Sequence, residues 1–202
     1  MATTSIFVEG WPLVLRTGSL FGDLDDDEFF ELCQVNRELR LERTSDGEVI
    51  VMPPTGADVA NFELRVAVVV ANWAEADGTG LGFGPSAGFT LPNRAVRSPD
   101  VAWLQRSRWD ALSPEQRAKF PPLCPDFVAE VRSRTDWLRG LQEKMQEYVD
   151  NGARLGWLID PLEKKVYVYQ PGQQPVCLDN PELVSGDPVL PGFTLDLRRL
   201  WP

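Results

Sequence analysis

Two carboxylates and a lysine occupy positions where the chain could assemble a catalytic site. Asp100 follows Pro99 at the start of an apolar segment, and Glu130 lies near the end of the next apolar segment. A pair of carboxylates on neighbouring strands can bind Mg²⁺ or Mn²⁺, which polarises a phosphodiester and lowers the pKa of its attacking water. Lys144 lies at the border of the apolar stripe of the following helix, where it could orient that water.

Each of these three residues also has an ordinary structural explanation. Asp100 belongs to a Pro-Asp pair of the kind common in turns. Glu130 needs a partner, because an ionised carboxylate in an apolar strand is costly, and a salt bridge to Arg132 or Lys144 would supply one. Lys144 could instead lie on the helix surface and pair with a neighbour on the same helix, Glu147 or Tyr148.

Three further polar residues are weaker candidates for the same site. Glu42 in a predicted hairpin and Glu63 on a predicted long helix could each add a carboxylate, although exposed positions are the simpler interpretation. Gln142 is explained equally well as a solvated residue. The seven tryptophans are expected in the core or at an interface rather than as base-stacking platforms, because none lies in a basic, aromatic patch.

The composition excludes several kinds of chemistry. Histidine is absent from the 202 residues, which rules out serine–histidine and cysteine–histidine catalysis and histidine-ligated zinc. Cys33, Cys124 and Cys177 are odd in number and far apart, so we expect small buried hydrophobic residues rather than disulfides or a zinc site. Any hydrolysis must therefore rest on carboxylates and lysine, with or without a hard metal ion.

Length and charge bound the organisation of the chain. The 202 residues, 43% of them hydrophobic, predict one domain over residues 1–202. A net charge of −10 counts against tight nonspecific DNA binding, yet many acids gather in Asp23–Glu31. A local basic face can still form from the residues Arg132, Arg134, Arg139, Lys144 and Arg154.

The sequence also favours a cytoplasmic location. No apolar run reaches the roughly 18 residues of a membrane helix. Met1–Gly10 lacks the basic and then apolar order of a signal peptide.

The remaining pattern predicts the elements that position the candidate residues. Helices are expected over 25–34, 58–76 and 137–149, with a small helical insertion over 109–120 that begins near Ser113-Pro114. Strands are expected over 39–43, 49–52, 89–91, 101–104, 125–131, 155–159 and 165–169, with a short strand after Gly192. This order predicts an α/β protein with a central mixed sheet flanked by helices.

Five segments together resemble the putative restriction endonuclease family, once catalogued as a domain of unknown function, within the PD-(D/E)XK nuclease superfamily. They are D-G-E-V-I-V-M-P-P-T-G (46–56), R-S-P-D-V-A-W (97–103), C-P-D-F-V-A-E-V-R-S (124–133), L-Q-E-K-M-Q-E-Y (141–148) and N-G-A-R-L-G-W-L-I-D-P (151–161). The resemblance covers most of the chain.

The resemblance implies a restriction-endonuclease-like α+β core and metal-dependent DNA cleavage, with Asp100 and Glu130 as metal ligands. The superfamily motif has a lysine two residues after the acid, where this chain has Arg132. Family members commonly carry that lysine on the next helix, where Lys144 stands. The family often shows S-P-S-D after the acid, whereas residues 133–136 read S-R-T-D.

Two other interpretations stand beside a DNA endonuclease. The chain could have kept the nuclease fold as a catalytically degenerate binding or regulatory module, which would suit its acidic charge and the missing E-x-K lysine. It could also be a structural homodimer joined by exposed aromatic residues. Because nucleases of this type often act as homodimers, dimerisation alone does not separate the first and last interpretations.

Overall fold

The computed structural model describes residues 13–15 and 24–201. Met1–Gly10, on which the expectation about a signal peptide depends, lies outside the described residues, as does Asp23 at the start of the acidic run. Within residues 13–15 and 24–201, no helix is both long enough and apolar enough to cross a membrane.

The helices follow the predicted positions closely. They are α1 (Asp26–Val35), α2 (Ala57–Asp77), α3 (Arg106–Asp110), α4 (Pro114–Ala118) and α5 (Leu138–Asp150), with a 3₁₀ turn at Leu197–Arg199. Asp25 and Glu28 form a capping box at the start of α1, which satisfies two backbone N–H groups there. Gly78 ends α2 in the left-handed conformation, with φ of 73°.

Thirteen strands are found among the described residues. They are β1 (Leu13–Leu15), β2 (Arg40–Arg43), β3 (Val49–Met52), β4 (Gly80–Phe83), β5 (Phe89–Thr90), β6 (Val96–Arg97), β7 (Val101–Gln105), β8 (Phe127–Val131), β9 (Leu155–Asp160), β10 (Lys165–Tyr169), β11 (Val176–Asp179), β12 (Leu183–Ser185) and β13 (Thr194–Asp196). Six form a central sheet in the order β11-β10-β9-β8-β7-β4, and five form a second sheet in the order β1-β3-β2-β6-β5.

The central sheet is mixed, as predicted. Strands β8 and β9 run parallel, whereas the pairs β7–β8, β4–β7, β9–β10 and β10–β11 are antiparallel. A parallel pair needs a crossover connection, and α5 provides it between β8 and β9. This helix therefore lies against the strand that carries Glu130.

Two apolar layers cover the faces of the central sheet. On one face Val66 and Val70 of α2 pack with Phe127 and Trp157. On the other face Met145 and Tyr148 of α5 join a separate cluster. Because side chains alternate along a strand, β8 sends Phe127, Ala129 and Val131 towards α2 and Val128 towards α5.

Two sequence-based expectations were wrong in detail. The predicted insertion over 109–120 does begin at Ser113, which caps α4, but α4 ends at Ala118, and a separate five-residue helix, α3, that starts at Arg106 was not predicted. Of the cysteines, Cys124 alone is buried; Cys33 is half-buried, and Cys177 is exposed on the edge strand β11. An edge strand leaves alternate side chains in solvent, which the apolar pattern did not reveal.

The start of β4 leaves no room for a side chain. A Cβ added at Gly80 would lie 2.3 Å from the Trp103 ring and 2.5 Å from the carbonyl oxygen of Leu104. We expect Gly80→Ala to lower the free energy of unfolding by about 1–3 kcal/mol, because buried Trp103 and the backbone of β7 would both have to move. Urea unfolding measures this change. A Cβ at Gly84 meets nothing within 4 Å, so Gly84→Ala is the control, and equal effects of both variants would contradict the prediction.

Candidate active site

The register of the central sheet places Asp100 and Glu130 side by side. Val101 pairs with Ala129 across antiparallel β7 and β8, so one step further along this register Asp100 stands opposite Glu130. Directly opposed residues have Cβ atoms about 4.5–5.5 Å apart. Asp100 Oδ2 also accepts a hydrogen bond from the backbone N–H of Val131 at 2.9 Å. The two carboxylates, 6% and 4% exposed, therefore form a buried pair.

Lys144 reaches this pair from α5. Its Nζ lies 2.9 Å from Glu130 Oε1, and it donates to Glu42 Oε1 at 2.8 Å. Tyr148, one turn further along α5, donates its hydroxyl to Glu130 Oε1 at 2.9 Å. The structure thus brings Lys144 into contact with Glu130, whose strand neighbour is Asp100. Of the alternatives considered for Lys144, a surface position is wrong, because its side chain is 10% exposed.

Glu42 is a member of the cluster, so the interpretation of an exposed residue was wrong. It is 1% exposed, and its Oε1 accepts the backbone N–H of Ser98 at 3.0 Å. Its Oε2 accepts from Arg97 Nη1 at 3.2 Å. Arg97 in turn donates to Glu147 at 2.6 Å, so Glu147 pairs with Arg97 rather than with Lys144. The carboxylate of Glu42 therefore holds Lys144 in place from the second sheet.

Arg40 is a further residue of the cluster that the sequence did not single out. Its Nη2 donates to the carbonyl oxygen of Ser98 at 2.7 Å and lies 3.3 Å from Asp100 Oδ1. Arg40 and Glu42 are two residues apart on β2, so they project from the same face of the strand. The alternation of side chains along β2 could have shown from the sequence that Arg40 and Glu42 share a face. It could not show which face of β2 meets the central sheet.

Burial and neighbouring charges shift the pKa values of Glu130, Glu42 and Lys144. Burial raises the pKa of Glu130, and Asp100 and Glu42 raise it further, against the lowering effect of Lys144. Burial also raises the pKa of Glu42, but Lys144 and Arg97 outweigh it and the net direction is downward. For Lys144, burial lowers the pKa, yet Glu130 and Glu42 outweigh burial and keep the ammonium charged. The Lys144 ammonium thus lies between two buried carboxylates whose pKa values move in opposite directions, down for Glu42 and up for Glu130.

Glu63 lies at the edge of the same cluster and is half-buried rather than exposed on α2, which corrects the expectation from the sequence. Burial, followed by the negative charge of Asp100, raises its pKa to about 7. Gln142 is half-buried on α5 and makes no hydrogen bond to the cluster within the described residues. Arg132 pairs with Asp160 at 2.7 Å and does not serve as the partner of Glu130.

We expect Glu63→Gln to stabilise the protein at pH 8 and to leave its stability unchanged at pH 4.5. Because the pKa of Glu63 in the fold lies above its ordinary value of 4.5, the native protein loses stability as the pH rises from 4.5 to about 7, and the full loss persists above that. Allowing for solvent screening of a half-exposed group, the gain at pH 8 is about 1 kcal/mol.

Urea unfolding of the native and Glu63→Gln proteins at pH 4.5 and pH 8 measures this difference. Glu75→Gln, exposed on the same helix, is the control and should change little at either pH. A gain of equal size at both pH values would contradict the assignment of the effect to the Glu63 charge.

The donor set suits a hard divalent cation. No group of three or more Asp, Glu, Cys or His side chains is arranged as a metal cage within the described ranges. Mg²⁺ and similar ions are, however, often held by one or two carboxylates together with water and substrate phosphate. The Lys144 ammonium and the Tyr148 hydroxyl both contact Oε1 of Glu130. No hydrogen-bond donor among the described residues contacts Oε2. Asp100 and Glu130 therefore fit as ligands of such an ion.

The fold and this buried carboxylate–lysine cluster define a restriction-endonuclease-like protein. A crystal structure described as a putative nuclease belonging to DUF820 from Anabaena variabilis superposes on the chain with a TM-score of 0.73. The superposition covers 88% of this chain and 97% of that chain at 22% sequence identity. At this identity the similarity establishes the fold.

The sequence itself establishes the family. The profile of the Uma2 family, described as putative restriction endonuclease, matches residues 26–198. The chain therefore belongs to the Uma2 family, which confirms the resemblance found in its sequence segments. The family description and the fold shared with the similar structure agree on a restriction-endonuclease-like protein.

A curated mouse protein is similar over a short segment. The NADH dehydrogenase (ubiquinone) 1 alpha subcomplex subunit 4-like 2 of Mus musculus is 38% identical over 60 residues, which cover 28% of this chain and 68% of that protein. The family assignment depends on residues 26–198 and is unchanged by this local similarity.

Proposed function

We propose that this chain is a metal-dependent DNA endonuclease that hydrolyses phosphodiester bonds within one restriction-endonuclease-like domain. Asp100 and Glu130 would hold a divalent cation, Mg²⁺ or Mn²⁺, and Lys144 would orient the attacking water. The observation that carries the proposal is the buried pair of carboxylates, Asp100 directly before β7 and Glu130 on β8, with the Lys144 ammonium 2.9 Å from Glu130.

In this proposal the ion, Lys144, Glu42 and Arg40 have different roles. When bound, the ion supplies Lewis-acid polarisation of the phosphodiester and a lowered pKa for the attacking water. Glu130 and Glu42 together keep Lys144 charged, so it can donate hydrogen bonds to the water or to a phosphate oxygen while Glu42 holds it in position. Arg40, which lies beside Asp100, is the second cation available to a phosphate.

A catalytically degenerate binding or regulatory module is the second candidate function. The observation that favours it is the position two residues after Glu130, where Arg132 pairs with Asp160 and stands in place of the usual lysine. The net charge of −10 also weakens binding to DNA. The homodimer and the cytoplasmic location stay predictions, and sedimentation of the purified chain tests the first of them.

Nicking of supercoiled plasmid separates the two candidates. The proposal expects conversion of supercoiled to open-circular plasmid in Mg²⁺ or Mn²⁺ at low salt, and none in EDTA. Folded protein in molar excess over plasmid that leaves it supercoiled with either ion would contradict the nuclease and favour the binding module.

A further inference from the structure

A cavity of about 390 Å³ opens beside the candidate active site, between β3 and the start of α5. Its volume falls within the roughly 300–1,000 Å³ of small-molecule sites. The walls are apolar and are formed by Ile50, Met52, Pro53, Trp137 and Leu141. A ligand with flat or apolar surfaces would therefore bury those surfaces here.

Trp137 is the most exposed part of this wall. Its side chain is 68% exposed just before α5, and the guanidinium of Arg139 lies 5.9 Å from its ring. Among the described residues Trp137 has no stacking contact with another aromatic ring. The tryptophans were expected in the core or at an interface, and of these two positions the core is wrong for Trp137. An indole presented in this way is a platform for a planar ring.

The floor of the cavity is polar and belongs to the catalytic cluster. Lys144 lines the cavity and also contacts Glu130, so an occupant lies next to the place where a phosphate would be hydrolysed. Arg97, Glu42 and Glu147 complete this floor. A planar ligand with a hydrogen-bonding edge would thus meet the apolar walls with its faces and the floor with its edge.

Charge argues against a phosphate inside the cavity itself. Its lining carries four carboxylates, on Glu42, Asp136, Glu143 and Glu147, against the two cations Arg97 and Lys144. Each oxygen of Glu147 already accepts one hydrogen bond, from Arg97 or from Asn93, and each retains a lone pair. An acceptor-rich floor of this kind suits a neutral ring that donates N–H groups.

We propose that this cavity receives one unstacked nucleobase of the substrate, adjacent to the scissile phosphate, and prefers bases with an exocyclic amino group over thymine. The base would stack on Trp137 and donate its amino hydrogens to the carboxylates of the floor. The inference rests on the proposed function for its substrate class, but base binding can be measured without cleavage.

Fluorine NMR of protein labelled with 5-fluorotryptophan gives a direct test. The Trp137 signal is assigned by its absence in Trp137→Phe, and the protein is titrated in EDTA with short single-stranded oligonucleotides of dA, dC or dT. The proposal expects a saturable shift of the Trp137 signal that requires several-fold less dA or dC than dT. Half-buried Trp109, which packs against Phe83, is the internal control and should not shift.

Three outcomes would overturn the proposal. One is an unchanged Trp137 signal, and another is equal response to dT and to the amino-bearing oligonucleotides. The third is a shift produced by raising the protein concentration alone, which would mean that a second copy of the chain fills the cavity.

Cleavage kinetics give an independent readout. Trp137→Ala should raise KM for oligonucleotide substrates about tenfold, whereas Trp137→Phe should retain most of the affinity because it keeps a ring. Leu183→Ala, 51% exposed outside the cavity, is the control and should leave KM unchanged. Unchanged KM in Trp137→Ala would overturn the proposal. If the wild type nicks plasmid but the Trp137 signal does not shift, the base pocket is contradicted and the nuclease function is not. If the signal shifts but no plasmid is nicked, the nuclease function is contradicted and the base pocket is not.

Discussion

Asp100→Ala is expected to lower metal-dependent cleavage by about a thousandfold or more while the protein stays folded. Under the proposed function, Asp100 is one of two carboxylate ligands, and its loss would remove several kcal/mol of the stabilisation that a metal ion supplies to the reaction. The variant also leaves the buried N–H of Val131 without its acceptor, which lowers the free energy of unfolding by about 1–3 kcal/mol. Plasmid nicking and thermal melting, measured on the same preparation, separate the two effects.

Two further variants make this prediction specific. Asp100→Asn keeps an acceptor for Val131 and should recover stability without recovering cleavage. Asp126→Asn is the matched control. Like Asp100, Asp126 is buried, pairs with an arginine (Arg108, 2.9 Å) and accepts a backbone N–H, that of Gln105. It lies just before the first residue of β8, however, whereas Glu130 lies near the last. The assignment of Asp100 would fail if Asp100→Ala kept its activity, or if Asp126→Asn lost as much.

The second large effect is expected at Glu42. Glu42→Ala should lower the free energy of unfolding by about 3 kcal/mol, because the buried cations Lys144 and Arg97 each lose one of two carboxylate partners and the N–H of Ser98 loses its acceptor. Urea unfolding at pH 7 measures the change. Cleavage should fall as well, since Lys144 loses the contact that holds it beside Glu130.

Two variants serve as controls for the effect of Glu42→Ala on stability, one at Glu42 itself and one at Glu143 on α5, the helix that carries Lys144. Glu42→Gln keeps an acceptor for the Ser98 N–H and should destabilise less than Glu42→Ala. Glu143→Ala breaks an exposed pair with Arg139 and should change stability by no more than about 0.5 kcal/mol. A loss below about 1 kcal/mol in Glu42→Ala would show that Glu42 is not the anchor of the cluster.

The sequence predicted those site residues whose positions follow from the pattern of their near neighbours in the chain. An apolar strand that begins just after Asp100 and another with Glu130 near its end are visible in a few residues, and so is the stripe of α5 that places Lys144 beside the sheet. The parallel pair β8–β9 with its helical crossover follows from the same local order of elements. For these reasons the fold class and the contact between Glu130 and Lys144 could be anticipated.

Arg40, which was missed, and Glu42, which was expected to be exposed, depend on contacts between distant parts of the chain. Glu42 and Arg40 enter the site because β2 pairs with β6 and approaches Asp100, 60 residues away from Arg40. Alternation along β2 says that they share a face, but only the tertiary structure says that this face is buried. The exposure of Trp137 beside a cavity likewise requires β3 and α5 to be placed together.

Calorimetric titration of Mn²⁺ or Mg²⁺ into the wild-type and Asp100→Ala proteins shows whether Asp100 holds a divalent cation. We expect saturable binding by the wild type, loss of that binding in the folded variant, and nicking of plasmid by the wild type with the same ions. A wild-type protein that binds neither ion and nicks no plasmid would contradict the nuclease and leave a nuclease fold that serves as a binding module.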